Sequence, residues 1–123
     1  MKLEAANNQK HNTVTAYGDD YVFVNNNRHT SNIVVMPHRI ITDWTSNIFD
    51  TLTDADMQQL AALEVEIILL GTGTKMRFPR PELMRSMAVA QKGLEVMDLH
   101  AACRTYNLLA SEGRKVASAL LLA

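Results

Sequence analysis

Residues 65–73 read VEIILLGTG, and this stretch decides the fold that the sequence predicts. Apart from Glu66, the first six residues are apolar, which is typical of a strand buried on both faces in the middle of a largely parallel sheet. Gly71-Thr72-Gly73 then predicts a tight bend at the carboxyl edge of that sheet, where open α/β sheets bind ligands. The stretch therefore predicts a central strand and the position of a candidate site.

Helical and strand patterns alternate around this central strand. Thr53 and Asp56 have the spacing of a capping box and predict the start of a helix before it. Pro81 and Gly93 are predicted to begin and to end a second helix. Asp98 predicts the N-cap of a third, strongly amphipathic helix. The order after residue 52 is therefore α-β-α-β-α-β, with predicted strands over 65–70, 94–97 and 116–122.

The first half of the chain has the pattern of antiparallel strands. Two β-rich runs, 14–17 and 21–24, flank the turn Gly18-Asp19-Asp20 and predict a β-hairpin. A soft stretch, Asn25-Asn26-Asn27, separates it from predicted strands over 33–36 and 39–42, of which the first is stopped by a proline. These strands either extend the parallel sheet or form a second layer.

The composition limits the class of protein. The chain has 123 residues, of which 47% are hydrophobic and 20% charged, so we expect one compact domain over 13–123 after a flexible N-terminal arm over 1–12. One cysteine excludes an internal disulfide framework and a multi-cysteine zinc site. The net charge of −1 argues against a general nucleic-acid binder. No apolar run is long enough to span a membrane, and no secretory or transit signal is recognisable, so we expect a cytoplasmic protein without membrane insertion.

The bend after the central strand is the best candidate for a ligand site. Residues 1–64 carry a net charge of −4 and residues 65–123 a net charge of +3, and the densest cationic cluster follows the bend. Glycine amides and cations can bind an anion there, although neither GxGxxG nor GxxxxGK[ST] is present. The alternative is a tight turn with a solvated basic loop. The candidate anion-binding residues are Gly71, Thr72, Gly73, Thr74, Lys75, Arg77 and Arg80.

Polar residues of the third helix and its end form a second candidate group. Arg104 or Arg114 could clamp a carboxylate or another anion. The alternative is a salt-bridged helix end that fixes the last helix on the sheet. The candidate structural or interaction residues are Asp98, Arg104, Tyr106, Asn107, Glu112 and Arg114.

Catalytic and metal-binding patterns are absent from the sequence. Cys103 falls within the apolar stripe of the third helix, where cysteine is a small core residue rather than a nucleophile. His100 is its neighbour on the helix, but no other feature supports a Cys/His pair. The remaining histidines are scattered without metal-ligand spacing. We therefore expect no enzyme activity, no metal and no cofactor.

Three landmarks in the chain carry a family resemblance. The first landmark is the stretch 37–44, and the second is the central strand with Gly71-Thr72-Gly73. The third is VMDLHAACRTYNLLASEGRKVA at residues 96–117. The three follow one another in the order and at the spacing that the family shows. Over residues 12–122 the chain resembles the domain-of-unknown-function family that includes the third mitochondrial complex I assembly factor and the adipogenesis-associated Mth938-like domain proteins. The resemblance implies a three-layer β+α/β/α fold with a mixed central sheet, no established enzyme activity or cofactor, and a role in assembly through protein contacts. Without a recognisable targeting extension, we expect a small bacterial member.

Two functions from different classes remain open. The first is a non-catalytic protein-interaction or assembly-factor-like module, which predicts an exposed patch for a protein partner or a second copy of the chain. The alternative is a site for a small anionic ligand at the glycine loop. No nucleic-acid partner is expected for either function.

Overall fold

A computed structural model describes residues 11–122 of the chain. These residues form eight strands, three α-helices and two short 3-10 turns, Phe49–Thr51 and Pro81–Met84. The strands are β1 (Val14–Tyr17), β2 (Val22–Val24), β3 (Asn27–His29), β4 (Ile33–Met36), β5 (Arg39–Thr42), β6 (Ile67–Gly71), β7 (Gly93–Met97) and β8 (Val116–Leu120). The helices are α1 (Asp54–Ala61), α2 (Arg85–Ala90) and α3 (Leu99–Ser111).

The central sheet has five strands in the order β5-β4-β8-β6-β7. β6 runs parallel to both of its neighbours, with Leu69 opposite Ser118 of β8 and Glu95 of β7. β4 runs antiparallel to β8 and β5, so the sheet is mixed, as predicted. Ile68, Leu69 and Leu70 are fully buried, which confirms the predicted inner strand.

Each face of the central sheet packs against one further layer. α1 and α2 cover one face, where Met57 and Leu60 meet Trp44. α3 and the separate sheet β1-β2-β3 cover the other face. Successive residues of a strand point to opposite faces, so Leu69 packs on the α3 side and Leu70 on the α1 side. This is the expected three-layer β+α/β/α architecture.

The N-terminal strands form their own antiparallel sheet rather than extending the central one. The predicted hairpin is present, and the Gly18 amide donates to the Tyr21 carbonyl over 3.0 Å. The sequence did not predict β3, which follows a two-residue turn at Asn25 and Asn26. Their φ angles of 52° and 68° are those of a type I′ hairpin turn, a conformation that asparagine tolerates. The stretch 25–27 is therefore part of a hairpin rather than a soft segment.

Side-chain caps begin α1 and α3 where the sequence predicts them. The Asp56 amide donates to Thr53 Oγ1 over 3.2 Å, and the Thr53 amide donates to the Asp56 carboxylate over 3.0 Å. The Ala101 amide donates to the Asp98 carboxylate over 2.8 Å. These contacts satisfy first-turn amides that have no partner within the helix.

The second helix is built differently from its prediction. Pro81 begins a 3-10 turn that leads directly into α2. The helix ends at Ala90 and is capped by Gln91, whose φ is 56°, and not at Gly93. Gly93 is already the first residue of β7 and pairs with Ile67, so the helix has to end before it.

Two of the three parallel strands, β6 and β8, are shorter than predicted, whereas β7 begins one residue earlier, at Gly93. The amides of Glu66 and Ile67 both donate to the Lys115 carbonyl, and regular pairing starts only there, so β6 begins at Ile67 rather than Val65. β8 ends at Leu120, two residues before its predicted end.

Between residues 11 and 122, no helix is long and apolar enough to cross a lipid bilayer.

The predicted N-terminal arm comprises residues 1–12, of which the structure describes His11 and Asn12. Residues 1–10 lie outside the described residues. At its other end, the Asn12 amide donates to the Pro37 carbonyl over 2.7 Å, and the Asn12 side chain donates to the Met36 carbonyl over 2.9 Å. Tertiary contacts of the domain therefore already include Asn12, one residue before the predicted start at residue 13.

Candidate functional site

The glycine loop lies at the carboxyl end of β6, as the sequence predicts, and β6 itself lies between β8 and β7. Gly71 itself is buried. A Cβ atom at Gly71 would lie 3.0 Å from a methyl carbon of Leu120 and 3.1 Å from the Ala102 Cβ. The lack of a side chain at Gly71 therefore lets α3 pack close to the sheet, and this residue is closed to a ligand.

The rest of the loop is folded onto itself through Thr72. The buried Thr72 hydroxyl donates to the Lys75 carbonyl over 2.6 Å and accepts the Arg77 amide over 3.2 Å. The Thr72 amide donates to the Met97 carbonyl over 2.9 Å. Gly73 has a φ of 95°, and its carbonyl accepts the first amide of α3. These contacts make the loop rigid and use polar groups that an anion would need.

The charges around the loop do not favour an anion. Asp19 and Asp20, from the β1–β2 turn, line the same cleft of about 640 Å³ as Thr74 and Lys75. A bound anion would therefore lie in the field of two carboxylates as well as that of Lys75 and of Arg77, which also lines the cleft. This arrangement gives no support to the predicted anion site.

The two arginines of the loop are engaged elsewhere. Arg77 lies 3.4 Å from the Asp50 carboxylate and stacks over the Phe49 ring, 4.4 Å from its centroid. Arg80 lies 3.2 Å from the Glu82 carboxylate and donates to a backbone carbonyl at Leu52 over 3.1 Å. Both arginines therefore hold the loop against the segment before α1.

The polar residues of α3 dock the N-terminal sheet. Arg104 donates to the Tyr17 hydroxyl over 2.9 Å, and the Tyr106 hydroxyl donates to the Asn12 carbonyl over 2.7 Å. Asn107 accepts the Val14 amide over 2.9 Å and donates to the Val14 carbonyl over 2.8 Å. Burial raises the pKa of the Tyr106 hydroxyl, which keeps it a donor.

The predicted salt-bridged end of α3 is wrong. Glu112 and Arg114 are exposed beyond the last turn, while Arg104 and Asn107 face the small sheet. The ion pairs found within residues 11–122 involve other side chains. The helix is fixed instead by neutral and charge-assisted hydrogen bonds to the N-terminal strands, which are distant in sequence.

Cys103 is a core residue, as predicted. It is fully buried, and burial raises the pKa of its thiol to about 12, so the reactive thiolate is scarce at neutral pH. His100 is not paired with it: its Nε2 atom lies 3.0 Å from the Gly18 carbonyl and 3.2 Å from the Asp19 carboxylate. No cluster of three or more metal-ligating side chains occurs within the described part of the chain.

Sequence reasoning missed an apolar surface beside the loop. Phe78 is 72% exposed, Met76 49% and Ile48 45%. Arg77 contacts Phe49 and Asp50, so Met76 and Phe78 flank in sequence a residue that touches the segment following Ile48. We call Ile48, Met76 and Phe78 the loop patch. One feature of the sequence could have indicated this surface. In RFPR, residues 77–80, Phe78 lies between two arginines and before a proline, and it fits neither a helical nor a strand pattern of apolar residues.

Fold and loop together define a small three-layer α/β domain with an internally hydrogen-bonded loop at the carboxyl edge of its sheet. A family model described as "Protein of unknown function (DUF498/DUF598)" matches residues 14–121. The chain belongs to this family, which confirms the membership that the sequence landmarks indicate.

Relatives and solved structures agree with this assignment. The chain is 29% identical over 119 residues to NADH dehydrogenase [ubiquinone] 1 alpha subcomplex assembly factor 3 of Bos taurus, covering 92% of this chain and 64% of that protein. It is 35% identical over 71 residues to the 13 kDa major membrane protein of Francisella tularensis, covering 58% of each. The chain thus spans less than two thirds of the length of these relatives.

Two solved structures share the fold over nearly their whole length. A crystal structure of a protein from Bordetella parapertussis matches with a TM-score of 0.83 and 40% identity, covering 90% of this chain and 95% of that one. A solution structure of a Mth938-like domain from Bordetella pertussis matches with a TM-score of 0.80 and 34% identity, covering 98% and 92%.

Proposed function

We propose that this chain is a non-catalytic, assembly-factor-like module that binds a protein partner through the loop patch. The single observation that carries the proposal is the exposure of Phe78 on a loop segment that is fixed on both sides of this residue. Arg77 and Arg80 anchor the loop to residues 49–52. A large aromatic side chain presented in this way loses little conformational freedom on binding, and aromatic residues are common among the energetically dominant contacts of interfaces.

The chemistry of the domain supports a non-catalytic role. The one cysteine is buried with a raised thiol pKa, and the Thr72 hydroxyl is engaged by the loop backbone. The glycine loop faces two carboxylates, so no observation favours the small-anion site as a second function. The alternative function is the small-anion site at the glycine loop, and specific binding of an anion there in a ligand screen would support it.

The names of the relatives indicate which partner to test first. One relative is named an assembly factor of NADH dehydrogenase, and another a major membrane protein. We propose that the chain acts in the cytoplasm on a protein component of a respiratory NADH dehydrogenase. It would do so as a separate protein, through contacts rather than by insertion into the bilayer.

The test is recovery of the partner by tagged chains expressed in the source organism. Phe78→Asp places a charge at the centre of the loop patch. Leu108→Asp is the matched control, because Leu108 is 59% exposed on α3, away from the loop. We expect the wild type and the control to retain a stoichiometric NADH dehydrogenase component, and Phe78→Asp to lose it together with membrane NADH oxidation.

Two results would contradict the proposal. The first is a partner that Phe78→Asp retains as well as the control does. The second is a wild-type chain that recovers no stoichiometric partner and sediments as a monomer at high concentration. A wild-type dimer that Phe78→Asp converts to a monomer would assign the loop patch to a second copy of the chain instead.

A further inference from the structure

A second cleft lies at the opposite end of the central sheet, beside the amino ends of β6 and β8. The β4–β5 turn, the α1–β6 loop, the α3–β8 loop and His11 line it, and its volume is about 780 Å³. That size is within the range of roughly 300–1,000 Å³ found for small-molecule sites. Neither the family nor the proposed function assigns a role to this cleft.

Backbone hydrogen bonds hold the segments that line the cleft. The β4–β5 turn is tied to the chain before β1, where the Asn12 amide donates to the Pro37 carbonyl over 2.7 Å. The α3–β8 loop is tied to β6, where the Glu66 amide donates to the Lys115 carbonyl over 2.9 Å. The cleft is therefore built before any ligand arrives, which lowers the entropic cost of binding.

Positive charge dominates the rim of this cleft. Arg39, Arg114 and Lys115 line it together with two histidines, against one carboxylate, Glu64. The ion pairs found within residues 11–122 involve Arg77, Arg80 and His100, so none of the three rim cations is paired with a carboxylate of the described residues. This is the reverse of the glycine loop, where the arginines are paired and two carboxylates face the cleft.

The floor of the cleft is apolar. Met36 and Ala110 are buried, and Pro37 and Val65 are half-buried, and all four line the same space. A bound inorganic anion would leave this apolar floor exposed to water. A ligand that covers it needs an apolar body as well as a negative head.

We propose that this cleft binds an organic anion that carries a carboxylate or phosphate head on an apolar body. The head would lie against Arg39, Arg114 and Lys115, because guanidinium groups bind such oxyanions through paired hydrogen bonds. The body would cover the apolar floor. This proposal does not depend on the loop patch, which lies at the other end of the sheet.

The first experiment separates head from body by nuclear magnetic resonance titration of the full ¹⁵N-labelled chain. Octanoate and octyl phosphate carry both features, octyl glucoside carries the body alone, and inorganic phosphate carries the head alone. We expect the two amphiphilic anions, kept below micelle formation, to shift the amides of Arg39, Glu64 and Lys115 but not that of Gly73. Equal affinity for octyl glucoside, or for inorganic phosphate, would overturn the proposal.

The second experiment uses charge-matched variants. Arg114→Gln should weaken octyl phosphate binding about tenfold, whereas Arg28→Gln, which removes a cation stacked on Tyr21 of the small sheet, should leave it unchanged. Ala62→Glu places a carboxylate at the exposed edge of the cleft and should weaken binding, and Ala62→Gln should not. Retention of full affinity by both Arg114→Gln and Ala62→Glu, or equal loss in Arg28→Gln, would refute the site.

Discussion

Asn107 joins two layers of the protein with one side chain. β1 is an edge strand of the small sheet, and the Asn107 amide exchanges two hydrogen bonds with the backbone of Val14. The side chain thus takes the place of a neighbouring strand at this point. Because Val14 is fully buried, no solvent is available to replace either hydrogen bond.

Replacement of Asn107 should therefore be costly. We expect Asn107→Ala to lower the free energy of unfolding by about 2–6 kcal/mol, since two buried backbone groups lose their partners at about 1–3 kcal/mol each. Urea unfolding followed by circular dichroism measures the loss. Asn27→Ala, at an exposed asparagine of β3, should change stability by less than about 0.5 kcal/mol. A similarly small change for Asn107→Ala would show that the docking bonds are dispensable.

At the scale of the element, the start of α1 depends on one carboxylate. Asp56 accepts the amide of Thr53 over 3.0 Å, and the side-chain amide of Asn47 over 2.8 Å. Burial on its own would raise the pKa of Asp56, but these hydrogen bonds outweigh it and the pKa is lowered below 3.8. The carboxylate therefore links α1 to the loop that precedes it.

The lowered pKa predicts how the stability depends on pH. Between the folded and the unfolded pKa of Asp56 the unfolded chain binds more protons, so stability rises with pH there. The contribution is complete above the ordinary value of 3.8 and disappears as pH falls through the folded pKa. We expect Asp56→Asn to be less stable than the wild type at pH 7, by about 1 kcal/mol, with the difference shrinking below pH 4.

Urea unfolding of both proteins from pH 7 to pH 2.5 measures this difference. Asp54→Asn is the control, because Asp54 is exposed in the same first turn and lacks the contact with Thr53. A stability difference for Asp56→Asn that stays constant across this pH range would contradict the assigned role of the carboxylate.

At the scale of the whole molecule, the central sheet separates two cores that share its strands. Leu69 and Leu70 are fully buried neighbours in β6 that face different cores. Trp44 belongs to the α1 side, and its indole N–H donates to the Leu120 carbonyl over 3.2 Å. Trp44 fluorescence thus reports on the core on the α1 side, whereas a substitution at Leu69 perturbs the core on the α3 side.

Both cores should unfold together. We expect Leu69→Ala and Leu70→Ala each to cost about 2–5 kcal/mol, and Leu69→Ala to shift the Trp44 fluorescence transition as far as the circular dichroism transition. Leu108→Ala, at an exposed position on α3, is the control. A Trp44 transition that stays in place in Leu69→Ala would mean that the two layers unfold separately.

The elements of the fold were largely readable from local patterns. The alternation of helices and strands, the capping box at Thr53 and Asp56, and the cap at Asp98 depend on residues close in sequence, and all of them are confirmed. β3 was missed because its residues are polar and its turn rests on positive φ angles at two asparagines. The end of α2 was misplaced because Gly93 is committed to pairing in β7, which a helix pattern does not reveal.

The sequence by itself determined the inner strand with its buried residues Ile68, Leu69 and Leu70, the bend after it, and the family to which the chain belongs, whose resemblance implied the three layers. Only the tertiary structure decided the surroundings of each charged group. It placed Asp19 and Asp20 beside the glycine loop, turned Arg77 onto Phe49, and gathered the cations of the second cleft from loops far apart in the chain. Periodicity and capping act over a few residues, whereas electrostatic environments and clefts arise from segments that meet only when the layers pack.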